Sequence, residues 1–241
     1  MPPPTTFIDH LAHEGYHPRS NKHSNTLALA IVNDLGLNCE ALALKARDGL
    51  VVFDLNFDLR VRTSTWNVDL VIGRRAQPSP PKLGAVLDRE RPATIEIAIE
   101  IKSVMTEHRK AVKNRKRDLE AHHEHVHNYD QSAIAAGVLV VNQSLTFQSP
   151  LRPALTRHAQ DARGAVALVN HCLSEMRNIA ERSDAQGQGL DAKCAIVVEM
   201  DNVNLATTRY IERAPAPQTG DPLSYDSFIQ RICDLYRRRF A

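Results

Sequence analysis

Residues 94–102 constrain the fold more than any other stretch. They place Ile95, Ile97, Ile99 and Ile101 on one side of an extended chain and Glu96, Ala98, Glu100 and Lys102 on the other. β-Branched residues at a period of two specify a strand and exclude a helix. A face of four isoleucines needs a second layer to cover it. Similar alternation occurs twice upstream. Residues 50–60 set Val51, Phe53, Leu55, Phe57 and Leu59 against polar neighbours; residues 65–72 set Trp66, Val68, Leu70 and Ile72 against Asn67, Asp69 and Val71. The short polar link between them suits a hairpin. Residues 137–142 and 192–200 read as buried strands.

Helices are expected at 24–35, capped by Ser24 and stopped by Gly36, at 106–128, at 161–182, and in a short amphipathic segment at the C-terminus. Residues 1–23 read as an irregular lead-in, and 74–92 as a Pro-rich exposed connection. The order α-β-β-β-α-β-α-β-α implies an α/β fold with a mixed central sheet flanked by helices. No Gly-rich phosphate loop is present, which argues against a nucleotide-binding doubly wound sheet. A length of 241 residues suits one domain.

Charge excludes little. Thirty Lys and Arg against 28 Asp and Glu give +2, so any nucleic-acid surface must be local. No stretch approaches a membrane span, and the N-terminus lacks a signal-like apolar core, so a cytoplasmic protein is expected. Cys39, Cys172, Cys194 and Cys233 are widely spaced in or beside apolar runs and read as structural thiols.

Strand periodicity sends Glu100 and Lys102 to the same side, and Asp69 closes a neighbouring strand-like run. Aligned strand ends would gather two carboxylates and an ammonium at a sheet edge. Carboxylate oxygens suit a hard cation such as Mg²⁺, and a lysine can orient or deprotonate water and stabilise charge on phosphorus. A D/E-x-K tripeptide arises by chance about once in a chain of this composition. A second copy, Asp191-Ala192-Lys193, precedes its strand and is set aside.

The segments Asn67-Val68-Asp69 and Glu100-Ile101-Lys102, each in an apolar strand, resemble the PD-(D/E)XK nuclease superfamily of type II restriction endonucleases. The resemblance covers about residues 20–145, with 146–241 left to complete the sheet and supply recognition or dimer contacts. It implies a restriction-endonuclease-like core in which Asp69, Glu100 and the Ile101 carbonyl bind Mg²⁺ (or Mn²⁺) and Lys102 positions the attacking water. It further implies double-stranded DNA as substrate, a homodimer, and a restriction or phage-defence role. Val68 stands where the family has proline, and residues 24–35 offer no glutamate.

The six cations of Arg109, Lys110, Lys113, Arg115, Lys116 and Arg117 follow the acidic strand directly. Arg109, Lys110, Lys113, Lys116 and Arg117 are the expected DNA contacts, holding phosphates beside the acidic centre. Arg74, Arg75 and Arg237–Arg239 are weaker signals of the same kind. His123, Glu124 and His127 satisfy H-E-x-x-H, so a zinc hydrolase, with Glu175 as a distant third ligand, is the competing expectation. A non-catalytic DNA-binding protein is the other. Glu96 reads as a solvated carboxylate, Trp66 as core and His23 as a helix-start residue.

Overall fold

The computed structural model describes residues 1–61, 63–106, 109–151, 157–183 and 187–241, with the side chains of Arg109, Lys110 and Arg157 outside the described set. In chain order the elements are α1 (Thr5–Glu14), α2 (Lys22–Asn38), α3 (Glu40–Arg47), β1 (Val51–Val61), β2 (Ser64–Arg74), β3 (Asp88–Arg89) and β4 (Ile97–Val104). Then follow α4 (Arg109–Tyr129), β5 (Ile134–Asn142), β6 (Thr146–Gln148), β7 (Arg157–Ala159), α5 (Ala162–Asn178), β8 (Ala192–Glu199), β9 (Arg209–Tyr210) and α6 (Tyr225–Phe240).

Seven strands form one sheet in the order β3-β1-β2-β4-β5-β8-β9, and β6 and β7 pair separately. The β1–β2, β2–β4 and β8–β9 pairs are antiparallel, whereas β4, β5 and β8 run parallel. This is the expected α/β architecture with a mixed sheet. Parallel strands need covered crossovers, which α4 and α5 provide. Residues of α1, α2, α3 and α6 build one core against Ile97, Ile99 and Ile101. Residues of α4 and α5 build the second against Ala98, Val104 and Leu139. No single helix among the described residues is long and apolar enough to cross a membrane.

Several local expectations are overturned. The isoleucine strand is the fourth of seven, so it is central and not an edge. Asp69 and Glu100 lie inside their strands, not at the ends. The lead-in contains α1, which buries Phe7 and Leu11 at helical spacing. Helix α2 starts two residues before Ser24 and runs through Gly36, which is buried because a Cβ there would meet Val86 and Leu87. Helix α3 follows at once after Cys39. The Pro-rich connection contributes β3, paired with β1, and α5 ends at Asn178, with the Asp161 side chain capping the Gly164 N–H at 2.7 Å.

Glu96 is also not solvated. It is buried, accepts from Tyr236 Oη at 2.5 Å and pairs with Arg74 Nε at 3.1 Å and Lys45 Nζ at 3.8 Å.

Candidate active site

The β1–β2 hairpin changes faces half-way along. Leu55 and Leu70 belong to the α2–α6 core, whereas Phe57 and Val68 belong to the α4–α5 core. Residues two apart on a regular strand share a face, so the backbone inverts between them. Asn56 supplies the inversion at φ 53°, a region asparagine tolerates better than most residues. Pairing runs through Leu55↔Leu70 and resumes at Phe57↔Val68. Asp69 therefore sits opposite Asn56 at the break, between the two faces. The single alternating face expected for residues 51–59 and 66–72 does not exist. Asn56 is braced by Asn25 Oδ1, Asn21 Nδ2 and Asn67 Nδ2 at 3.0–3.1 Å.

The same break forks the sheet. The last pairs between β2 and β4 are Ile72↔Ile97, Val71↔Ala98 and Leu70↔Ile99. Continuing that register puts Asp69 opposite Glu100, where β2 leaves β4. Instead of a backbone ladder bond, Asp69 Oδ2 accepts the Ile101 N–H at 2.8 Å. On a regular strand the N–H and C=O of one residue point to the same side, and the Ile101 N–H points at Asp69. Both backbone polar groups of Ile101 therefore point into the fork.

Asp69, Glu100 and Lys102 thus come together, and the Lys102 ammonium lies directly on Glu100 Oε1. Burial raises the Asp69 carboxyl above its ordinary value, against the opposing effects of the Ile101 N–H, Lys102 and Ser24. Glu100 is pushed up to about 7 by burial first and by the Asp69 charge second, with Lys102 opposing.

His122 was not expected here. It projects from α4 on the stripe of Leu119 and Val126 and is fully buried. Its Nε2 contacts the Ala98 carbonyl at 3.2 Å. A carbonyl only accepts, so Nε2 carries the hydrogen and Nδ1 a lone pair. Burial pushes His122 down to about 3, keeping the ring neutral. That lone pair faces Glu100 Oε2 across 3.9 Å, and both atoms lack a hydrogen-bond partner. Two buried acceptors facing one another are satisfied by a donor or a cation between them.

A divalent cation fits this donor set. Glu100 offers an oxygen without a partner, Asp69 an oxygen not used by Ile101, and the Ile101 carbonyl faces the same fork. Among the described residues no group of three or more His, Cys, Asp or Glu side chains gathers to hold a metal. Mg²⁺ keeps several waters and is held by one or two carboxylates together with phosphate oxygens.

The basic helix is only partly available. Lys113 and Arg117 are exposed and pair with no described residue. Lys116 is held by Glu120 at 3.3 Å and Glu175 at 3.8 Å, and Arg115 by Asp118 at 2.9 Å. The side chains of Arg109 and Lys110 lie outside the described residues. Arg75 is buried against Asp88 and Glu90, and Arg74 is spent on Glu96. Arg237 pairs with Asp234 at 3.0 Å, and Arg239 NH2 reaches the buried Asp191 at 2.5 Å. All six of these side chains carry an acidic partner within the chain, Arg75 the most deeply buried of them.

The His123 and His127 rings stay neighbours at 6.0 Å, but the other groups of the zinc expectation turn elsewhere. His127 Nε2 faces Asp191 Oδ2 at 3.1 Å, Glu124 is exposed, and Glu175 is turned to Lys116. His23 stacks on Tyr16 at 4.5 Å, and Tyr16 Oη meets Ser103 Oγ at 2.7 Å. Trp66 stacks on His125 at 4.8 Å while packing on the α4–α5 core. Sequence signals for the missed residues existed: His122 falls between Leu119 and Val126 at helical spacing, and Asn56 is the residue type that favours positive φ. Comparison of the chain with family models, curated proteins and solved structures finds no match.

Proposed function

We propose that this chain is a Mg²⁺-dependent endodeoxyribonuclease of the PD-(D/E)XK type. One observation carries the reading: the register that ends at Leu70↔Ile99 aligns Asp69 with Glu100 in a forked sheet, with Lys102 on Glu100 and the Ile101 backbone facing both. A pair of buried, repelling carboxylates with one ammonium for the two acids is costly for folding alone and useful for holding a cation. Mg²⁺ bound there supplies charge stabilisation on the phosphate and a more acidic water.

In this reading Asp69 and Glu100 hold the cation and fix its position. Lys102 leaves Glu100 to orient the water and neutralise charge developing on the phosphodiester. The water oxygen bonds to phosphorus as one ester P–O bond breaks. Lys113 and Arg117 hold duplex phosphates, with Arg109 and Lys110 preceding them on α4. Cutting both strands takes two such centres, so a homodimer is part of the proposal. A restriction or phage-defence setting rests on the family resemblance alone.

The test is cleavage of supercoiled plasmid, with and without base modification, in Mg²⁺ and in Mn²⁺. Wild type is compared with Asp69→Ala and Lys102→Ala. Cutting lost in both variants supports the assignment, and cutting unchanged in both removes it. Retention of DNA at low salt, without cleavage in either metal on any of these substrates, identifies a binding protein instead.

A further inference from the structure

Far from the forked sheet, a second chemical feature joins the two ends of the chain. Cys39 forms the corner between α2 and α3, as the last cap of one and the first of the other. The two helices meet there at 97°. Cys233 lies on α6 and packs against the core that contains Cys39, and the two thiols interact electrostatically. Cys39 is 2% exposed, whereas Cys233 is partly open. Both line one surface cavity of about 660 Å³, together with Leu44, Ile229, Asp234 and Arg237. Two interacting thiols at the wall of an open cavity differ from the isolated buried thiols expected from the sequence.

We propose that Cys39 and Cys233 are a redox-responsive dithiol that closes to a disulfide when a low-molecular-weight disulfide enters this cavity. One thiolate of the pair attacks a sulfur of the small disulfide, forming a mixed disulfide and releasing one small thiolate. The second cysteine gives up its proton and attacks the protein sulfur of that mixed disulfide, expelling the other half. The two cysteines lose two hydrogens and two electrons, and the small disulfide becomes two thiols. The interaction with Cys233 pulls the Cys39 thiol down to about 7, while Cys233 itself is raised. Such a pair holds a thiolate at neutral pH, the form that reacts.

The other two cysteines provide an internal control. Cys172 and Cys194 are fully buried, and burial raises both thiols. Closure would tie the α2–α3 corner to α6, which already share the core of Leu42, Ile232 and Tyr236.

The experiment is equilibration of the full chain with glutathione and glutathione disulfide at graded ratios, followed by acid quench, intact mass and peptide mapping. Two of the four thiols are expected to disappear together, with a mass loss of two hydrogens and a linked peptide containing residues 39 and 233. Reduction restores both. In Cys233→Ser, Cys39 is expected to keep a glutathione adduct because no second thiol displaces it. Four free thiols at every ratio, a lasting adduct on wild type, or a linkage through Cys172 or Cys194 would overturn the proposal. DNA cleavage does not enter any of these readings.

Discussion

Replacing Glu100 by glutamine is expected to stabilise the metal-free protein at about pH 8 while abolishing cleavage. Burial and the Asp69 charge lift Glu100 from its ordinary 4.5 to about 7. At about 1.4 kcal/mol per pH unit, ionising it in the folded chain costs about 3 kcal/mol that the unfolded chain does not bear. The side chain is almost fully buried, so solvent screens little of this. The bond from Lys102 that glutamine weakens is already contained in that net shift, because Lys102 opposes it. A gain of about 3 kcal/mol at about pH 8 follows.

The sign follows from the raised acid. The folded protein binds the extra proton between the unfolded and folded values, so wild type loses this stability as pH rises from 4.5 to about 7. Below that window wild type and variant converge. Urea unfolding in EDTA across the window reads the effect directly, and repeating it in excess Mg²⁺ is expected to stabilise wild type alone. A Glu100→Gln protein that is less stable at about pH 8, or one whose pH curve parallels wild type through the window, refutes the reasoning.

Asn56→Ala is expected to lower stability by about 2–3 kcal/mol, because alanine tolerates positive φ less well than asparagine and the Asn21 and Asn25 bonds are lost; Asn56→Gly, which suits that backbone conformation, should lose clearly less in the same urea titration. Removing Lys113 and Arg117 together is expected to shallow the salt dependence of DNA affinity by about two units of log-log slope, measured by fluorescence anisotropy. Asp191→Ala strands His127, Arg239 and the Ala135 N–H and is expected to cost about 3–5 kcal/mol by thermal or urea unfolding. His123→Ala should leave Mg²⁺-dependent cutting within a few-fold of wild type, whereas a zinc enzyme would lose it.

The strand at the centre of the sheet was legible because its period-two pattern is local and its chemistry sits on that pattern. Asp69 was legible as a residue but not in its setting. Its direction depends on a backbone inversion at Asn56, and alternating letters on both sides of 56 conceal a change of face. Burial of Glu96, Arg75 and Asp191 escaped notice for a related reason. Polar alternation marks a solvated face only where nothing covers it, and here α6 brings Tyr236 back to Glu96 across 140 residues and Arg239 back to Asp191 across 48. Helix α1 carries only two buried apolar residues in ten, too few for periodicity to stand out. Helix α3 directly abuts α2 without a Gly or Pro stop, so the corner at Cys39 left no punctuation.

The inversion at Asn56 has a mechanical consequence. Glu100 and Lys102 ride on a strand held by β5 along its whole length and by β2 just before them, whereas Asp69 rides at the pivot of a hairpin whose outer half, carrying Leu59 and Trp66, leans over α4. Force applied to the hairpin tip swings one carboxylate relative to the other two groups, so the spacing between them is set by a lever whose long arm lies outside the centre it adjusts.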